Sequence, residues 1–293
     1  MNDNCGLATF SIVAHDPAAQ EWGIAVQSKF LAVGAVVPWA QAGVGAVATQ
    51  SYANTSFGPN GLALMAQGLS AQGALDRLVA GDEGRVRRQV GLVDVQGRAA
   101  TFTGEECPAW AGGLTGTHYA VQGNILVSGA TVEAMAQAFE QAQGELADRL
   151  VAALAVGQAA GGDRRGQQSA AVLVVRSEGG YGGYNDRYLD LRVDDDPAPI
   201  ERLKALVELH HLFFKPPAPG EMVAIEGKLA REVQCILQWA GYYSDPITGI
   251  YDMPTRKALS ALVGNENFEE RFDGEKGLIS RQVMDIFRQK FVR

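Results

Sequence analysis

The sequence predicts an α+β fold: a four-layer αββα sandwich, with two antiparallel sheets between helix layers, followed by a small three-helix domain. Strand-like segments alternate with helices that come in pairs, whereas a doubly wound sheet takes its helices singly. A proline-rich stretch at 213–221, FFKPPAPGE, separates this pattern from a final helical region. The length of 293 residues also favours one large and one smaller domain.

The first half of the sandwich is predicted to open with a β-hairpin. Apolar and β-branched runs indicate its strands, helical spacing begins after Gly-Pro-Asn-Gly at 58–61, and Ser70 is placed as a helix N-cap. A Gln-Gly pair joins a second hairpin. The predicted elements are strands at 9–14, 22–27, 35–37, 45–50, 90–95 and 98–103, and helices at 62–68 and 71–80.

The second half repeats the order of strand, helix pair and strands. Its predicted elements are strands at 120–127, 170–175 and 188–193, and helices at 131–141, 145–156 and 199–214. Three amphipathic helices follow the prolines, at 229–239, 253–262 and 280–291. We therefore divide the chain into a sandwich domain at 1–213, a linker at 214–222 and a helical domain at 223–293.

Composition narrows the range of partners and cofactors. A net charge of −8 and a pI near 5.1 oppose a nucleic-acid partner. The sequence shows neither a signal peptide nor an apolar run of the roughly 18 residues that span a membrane, so we expect a cytoplasmic protein without a membrane partner. Zinc, EF-hand and nucleotide-binding patterns are missing from the sequence, and the three aspartates at 194–196 are typical of a solvated turn. We expect neither a metal nor a cofactor.

Several runs between Thr9 and about Leu209 resemble a bacterial family, domain-of-unknown-function family 1028. The runs are TFSIVAHDP, AVQSKFLAVGAVVPWA, GVGAVATQ, GGDRRGQQSAA and RYLDLRVDDDP. That family is classed with the N-terminal nucleophile hydrolases, whose fold is an αββα sandwich. The resemblance therefore implies the same fold as the order of strands and helix pairs.

The resemblance also implies a nucleophile. N-terminal nucleophile hydrolases expose a Thr, Ser or Cys by removing the residues before it, and the new α-amine, with a reference pKa near 8, is the general base. Thr9 takes this place, with Ser11 and Cys5 as less well placed alternatives. Eight residues precede Thr9, so the mechanism requires their removal, because the unprocessed chain lacks the base.

Other polar residues are implied to support this nucleophile. Lys29 ends the run GIAVQSK and is expected to lower the proton affinity of Thr9. Asp163 and Ser169, in GGDRRGQQS, resemble the supporting Asp and Ser of threonine hydrolases. Asn124 is expected to stabilise an oxyanion. Two more polar residues are expected to contact the ligand: Ser28 and Gln50.

Each of these residues also has a structural interpretation. Thr9 suits a strand through its β-branching, Lys29 suits an exposed strand end, and Asp163 suits a loop-ordering ion pair with Arg165. Two hypotheses therefore stay open. One is an amide-bond hydrolase with a Thr nucleophile, acting on a small amide or peptide-like compound. The other is a non-catalytic protein that binds a metabolite or cell-wall fragment.

The segment at 233–259, VQCILQWAGYYSDPITGIYDMPTRKAL, resembles the small peptidoglycan-binding-like modules. Tyr242 and Tyr251 near its turn are expected to stack on a sugar ring, although aromatic residues in a thin core also serve packing. The implied partner is a muropeptide-like ligand. Edge strands and an appended helical unit lead us to expect a homodimer.

Overall fold

The structure is a computed structural model that describes residues 9–292, and thirteen strands and eight α-helices lie within that range. Two compact units divide the chain, Met1–Val207 and Glu208–Arg293. The elements of the first unit are β1 (Thr9–Asp16), β2 (Glu21–Ser28), β3 (Pro38–Gln41), β4 (Gly45–Ser51), α1 (Phe57–Ala66), α2 (Ala71–Ala80), β5 (Arg88–Asp94), β6 (Ala99–Thr103), β7 (Gly112–Gly116), β8 (Tyr119–Asn124), α3 (Ala130–Gln141), α4 (Leu146–Ala159), β9 (Ser169–Val175), β10 (Arg187–Val193) and the start of α5 (Pro199–Phe214).

The first unit contains two antiparallel sheets. One has six strands in the order β10-β9-β2-β1-β8-β7, and the other has four in the order β3-β4-β5-β6. β1 pairs with β2 on one side and with β8 on the other, so that Thr9 lies opposite both Ser28 and Asn124. The first strand of the chain is therefore an interior strand, hydrogen-bonded along both edges.

Alternating side chains divide the core of this unit into layers. In β1, Phe10 and Ile12 pack with α3 and α4, whereas Val13 belongs to a cluster shared with the four-stranded sheet. The opposite face of the four-stranded sheet packs on α1 and α2, where Leu92 meets Leu75. Each such buried side chain contributes roughly 1.5–3 kcal/mol. The predicted α+β fold with antiparallel sheets is confirmed.

The strand predicted at 35–37 is wrong. Residues 33–35 form a 3-10 turn in which the Val36 N–H donates to Val33 O at 3.1 Å, and β3 begins only at Pro38. Proline has no N–H to donate, which confines it to the edge of a sheet, and β3 is an edge strand. Val33 and Val37 are fully buried. Their apolar side chains therefore resemble those of a strand, although the chain turns here.

α1 begins at Phe57, earlier than the predicted start at Leu62. The Gly-Pro-Asn-Gly run lies in its first turns, where the missing N–H of a proline breaks no helical hydrogen bond. Gly58 is required there, because a Cβ would lie 2.2 Å from Trp39 Cγ. The run Gly-Pro-Asn-Gly resembles a turn in sequence, but here it begins a helix that packs closely on β3.

The N-cap of α2 agrees with the sequence prediction, whereas strand β7 was not predicted. Ser70 is the N-cap of α2, as predicted, because its Oγ accepts a hydrogen bond from Gly73 N at 3.1 Å. β7, with the sequence GGLTG, is an addition to the predicted elements. Three of its five residues are glycines, so the alternation of apolar and polar side chains that predicts a strand is missing.

The second unit contains the last turns of α5 and the helices α6 (Gly227–Trp239), α7 (Met253–Asn265) and α8 (Arg281–Phe291). It also contains a sheet that the sequence does not predict, in the order β11 (Met222–Ala224), β13 (Leu278–Ser280), β12 (Phe272–Asp273). These strands are too short for alternation to show. Helices in the described range 9–292 lack the combined length and apolar character that crossing a bilayer demands.

His15 lies at the end of β1 remote from Thr9. Its ring stacks on Trp22 with centroids 4.7 Å apart, and neither ring nitrogen has a hydrogen-bond partner within the described residues. Burial, followed by the charge of His118, lowers the pKa of His15, whereas Asp16 and Asp94 act in the opposite direction. The folded state therefore binds fewer protons than the unfolded state, and acid destabilises it.

We expect the free energy of unfolding to decrease as the pH falls below about 6.5 towards the lower pKa of folded His15, by at most about 1.4 kcal/mol for each pH unit. His15→Phe removes this contribution while keeping an aromatic ring on Trp22. Denaturant unfolding of both proteins at about pH 7.5 and about pH 5.5 measures the difference. The same pH dependence in both proteins would contradict the assignment to His15.

Candidate functional site

Four hydroxyl and amide side chains form a row across neighbouring strands of the six-stranded sheet. Thr9 of β1 lies opposite Ser28 of β2 and Asn124 of β8, and Ser28 lies opposite Ser169 of β9. All four are fully buried. Residues in register project to the same face of a sheet, so the row shares the face of Val13, which packs on the four-stranded sheet.

Thr9 occupies an interior position in this row. Its Oγ1 lies 3.2 Å from Ser28 Oγ, and its carbonyl oxygen accepts a long hydrogen bond from Gln50 Nε2 at 3.4 Å. Ser28 and Gln50, which the sequence analysis expects to contact a ligand, thus contact Thr9 itself. Gln50 belongs to β4, so both sheets hold Thr9.

Asp163 lies beside the start of β1. Its carboxylate accepts from Lys29 N at 3.0 Å and from Arg165 N at 2.9 Å, and the Arg165 guanidinium lies 3.2 Å from it. Asp163 also forms a β-bridge with Leu126. Because Lys29 follows β2 and Leu126 follows β8, Asp163 lies between the two strands that flank β1. The loop-ordering ion pair between Asp163 and Arg165 therefore exists, at the end of the sheet where β1 begins.

The side chain of Lys29 is directed elsewhere. It is exposed, and its Nζ donates to Gln167 O at 3.2 Å. Only the main-chain N–H of Lys29 reaches Asp163. The expected effect of this ammonium on the proton affinity of Thr9 stays a prediction, and the contact of Lys29 with Asp163 comes from its backbone.

Ser169 holds the loop that follows β2. Its Oγ donates to Phe30 O at 2.5 Å and accepts from Val33 N at 3.1 Å. Both hydrogen bonds are made to the backbone of the protein itself. The Ser169 hydroxyl is therefore already engaged both as a donor and as an acceptor. Ser169 thus shapes the loop that carries Lys29, next to Ser28 in register.

The orientation of one amide, that of Gln89 in β5, follows from the backbone around it. Its Nε2 lies 2.8 Å from Gly123 O and 3.2 Å from Gly112 O, and a carbonyl oxygen only accepts hydrogen bonds. The nitrogen must therefore face these carbonyls. Gln89 Oε1 faces the other way and accepts from Gln50 Nε2 at 2.8 Å and from Asn124 Nδ2 at 2.9 Å.

Asn124 consequently offers an acceptor at this site. Its nitrogen is engaged by Gln89, and its Oδ1 is buried without a hydrogen-bond partner in the part of the chain that the structure describes. The predicted role of Asn124, to stabilise an oxyanion, needs a hydrogen-bond donor. The unpaired oxygen suits an ammonium or N–H group, whereas the expected role as an oxyanion donor stays a prediction.

The alternative nucleophiles are less favourably placed. Ser11 lies deeper between the sheets, where its Oγ is 2.6 Å from Gln50 Oε1 and 2.7 Å from Gln122 Nε2. Both bonds make Ser11 part of the buried amide network. Cys5 lies outside the described residues.

Gln89 and Gln122 are not among the site residues predicted from the sequence. A signal exists in hindsight: glutamine stands at an inward position of three strands, in ATQS, RQVG and VQGN. A buried amide in a strand needs several partners, so three such positions indicate one shared network.

In the second unit the two expected tyrosines have different surroundings. Tyr242 lines a groove of about 310 Å³ beside α7. The Tyr251 hydroxyl donates to Gly274 O at 3.1 Å, its ring packs on Gly277, and burial raises its pKa. Tyr251 is not among the residues that line the groove. A larger groove in the first unit, of about 470 Å³ between α1 and α2, contains none of the predicted site residues.

We expect Gln89→Leu to lower the free energy of unfolding by about 3 kcal/mol or more, because two carbonyls and two amide donors lose their partner in a buried layer. Thr101→Val is the matched control. It removes only hydrogen bonds of 3.3 and 3.4 Å in the same layer, and should cost less than about 1 kcal/mol. Denaturant unfolding compares the two, and equal losses would contradict the central role of Gln89.

We expect Asp163→Asn to cost about 2 kcal/mol or more of stability, since an amide cannot accept from both main-chain donors and loses the charge that pairs with Arg165. Lys29→Met should change stability by less than about 0.5 kcal/mol, because it keeps the backbone N–H and removes an exposed charge. Thermal unfolding of both variants tests this. A larger loss for Lys29→Met would show that its ammonium supports the site.

Comparison with known proteins agrees with both resemblances. The family of unknown function DUF1028 matches residues 9–203, and a peptidoglycan-binding-like domain matches residues 212–287. Among solved structures, the chain is similar to the crystal structure of protein SPO2555 from Silicibacter pomeroyi, also of the DUF1028 family, with 30% identity, a TM-score of 0.65, and coverage of 71% of this chain and 91% of that chain. A search of curated proteins returns no match. This chain belongs to the DUF1028 family and carries a peptidoglycan-binding-like domain in its C-terminal part.

Proposed function

We propose that this protein is an amide-bond hydrolase of the N-terminal nucleophile type, in which Thr9 is the nucleophile after removal of the residues before it. The observation that carries this proposal is the position of Thr9. It opens an interior strand, its hydroxyl lies 3.2 Å from Ser28 Oγ, and Asp163 is bound between the flanking strands. Facing sheets with helices on both outer faces support the four-layer αββα sandwich of that class.

The reaction takes two steps. Thr9 Oγ1 attacks the carbonyl carbon of the amide while the α-amine of Thr9 takes the hydroxyl proton. That proton passes to the leaving amine as the C–N bond breaks, which leaves an ester on Thr9. The α-amine then takes a proton from water, the water oxygen attacks the ester, and the carboxylic acid departs as the threonine hydroxyl is restored.

The surrounding residues suit an ammonium group at the start of β1. The negative charge of Asp163 favours the protonated α-amine, which the first step forms. The unpaired Oδ1 of Asn124, opposite Thr9, accepts one of its N–H bonds. Ser28 Oγ orients the nucleophilic oxygen. In this proposal the substrate is a small amide or peptide-like compound.

A second candidate, ligand binding without turnover, is favoured by one observation. Thr9, Ser28 and Asn124 are fully buried in the unprocessed chain, and a nucleophile must be reached by its substrate. Hydrolysis therefore requires that processing opens this corner of the sheet. A cytoplasmic location, a homodimer, a muropeptide-like partner and independence from cofactors stay predictions of the sequence.

We expect purified protein to be shorter than the encoded chain by about 0.8 kDa, the mass of the eight residues before Thr9. Thr9→Ala should keep the full mass and show no turnover, because it lacks the oxygen that attacks. Thr9→Ser keeps that oxygen and should be processed. Intact-mass spectrometry, with release of amine from small N-acyl amino acids as the assay, measures both properties.

Thr101→Val serves as the control, since it removes a neighbouring threonine hydroxyl between the same sheets without touching Thr9. It should be processed like the wild type. Full-length protein that binds N-acyl amino acids without releasing amine would reject the hydrolase and support the second candidate.

A further inference from the structure

The groove of about 310 Å³ in the second unit has walls from two segments, the loop after α6 and the first turns of α7. Its apolar floor consists of small residues on the helix, Pro254, Ala258 and Ala261, and Tyr242 forms part of the opposite wall. The volume lies at the lower end of the range for small-molecule sites. A ligand with small side chains fits it better than a bulky one.

The loop wall is held in place from within the unit. Gln238 Nε2 donates to Asp245 O at 2.9 Å, and the hydroxyl of the buried Tyr243 lies 3.3 Å from Pro246 O. On the other wall, Asp252 caps α7 by accepting from Thr255 N at 3.0 Å. Both walls are therefore ordered before any ligand arrives, which lowers the entropic cost of binding.

Two charged side chains of opposite sign line this groove, Asp245 on the loop and Lys257 on the helix. Both are exposed, and neither side chain has an ion pair or hydrogen bond to another residue in the described range 9–292. Several other charged groups among the described residues of this unit are paired, as Arg288 is with Glu232 at 2.6 Å. The groove thus has one unpaired cation on its helix segment and one unpaired anion on its loop segment, together with apolar lining residues.

We propose that this groove binds a short peptide by its free ends, with the α-carboxylate on Lys257 and the α-ammonium on Asp245. Small side chains of the peptide pack on Pro254, Ala258 and Ala261. Charge complementarity selects a zwitterion over a neutral sugar. The site lies within the second unit and does not depend on hydrolysis at Thr9.

The test uses the full chain and the dipeptide alanyl-alanine as probe. Chemical-shift perturbation of the ¹⁵N-labelled protein should map to residues 242–245 and 254–261, with a Kd on the order of 1–10 mM. N-acetyl-alanyl-alanine amide, which carries neither charge, should bind at least about tenfold more weakly. N,N′-diacetylchitobiose represents the glycan alternative and should cause no shifts there.

Lys257→Met and Asp245→Asn should each weaken dipeptide binding about tenfold. Lys228→Met is the matched control, because Lys228 is an exposed lysine on α6 outside the groove, and it should bind like the wild type. Unchanged spectra elsewhere will show that the variants fold. Wild-type affinity in both groove variants, no shifts up to about 50 mM dipeptide, or shifts with the disaccharide alone would each overturn the proposal.

Discussion

The candidate site depends on a single constraint: polar groups buried between two sheets must find their hydrogen bonds inside the protein. Two backbone carbonyls, Gly112 O and Gly123 O, can only accept, and they set the orientation of the Gln89 amide. Gln89 Oε1 then orients Gln50 and Asn124. The chain of bonds ends at Thr9, whose carbonyl is held by Gln50 and whose neighbour Asn124 keeps an unpaired oxygen. The chemistry that this corner can support follows from backbone geometry.

The second unit uses the same device on a smaller scale. Gln234 is fully buried in α6, and three acceptors lie 2.9 to 3.1 Å from its Nε2: Thr248 Oγ1, Ile250 O and Thr255 Oγ1. Its Oε1 accepts from Gly249 N at 2.8 Å. One amide thus orders the loop that leads into α7. In a unit with a thin core, such a network replaces part of the apolar packing that a larger domain would have.

Much of this organisation can be predicted from the sequence. Strand alternation locates β1, β2, β5 and β9 closely, the N-cap at Ser70 follows from local chemistry, and both family resemblances are confirmed. The predictions that differ from the structure lie next to glycine and proline residues. Gly-Pro-Asn-Gly starts α1, where Gly58 packs closely on Trp39, and the segment predicted as a strand at 35–37 lies in a 3-10 turn and the residues that lead into β3. These outcomes depend on contacts with segments distant in the chain.

For the site, the sequence determined which residue types lie at which strand positions, and therefore that Thr9, Ser28, Asn124 and Ser169 face one side of a sheet if their strands are neighbours. Only the tertiary structure decided that they are neighbours, that the backbone N–H of Lys29 rather than its ammonium contacts Asp163, and that the Asn124 amide turns its nitrogen towards Gln89. The physical reason is that side-chain direction and amide orientation depend on partners supplied by other strands, and no local pattern in the chain specifies those partners.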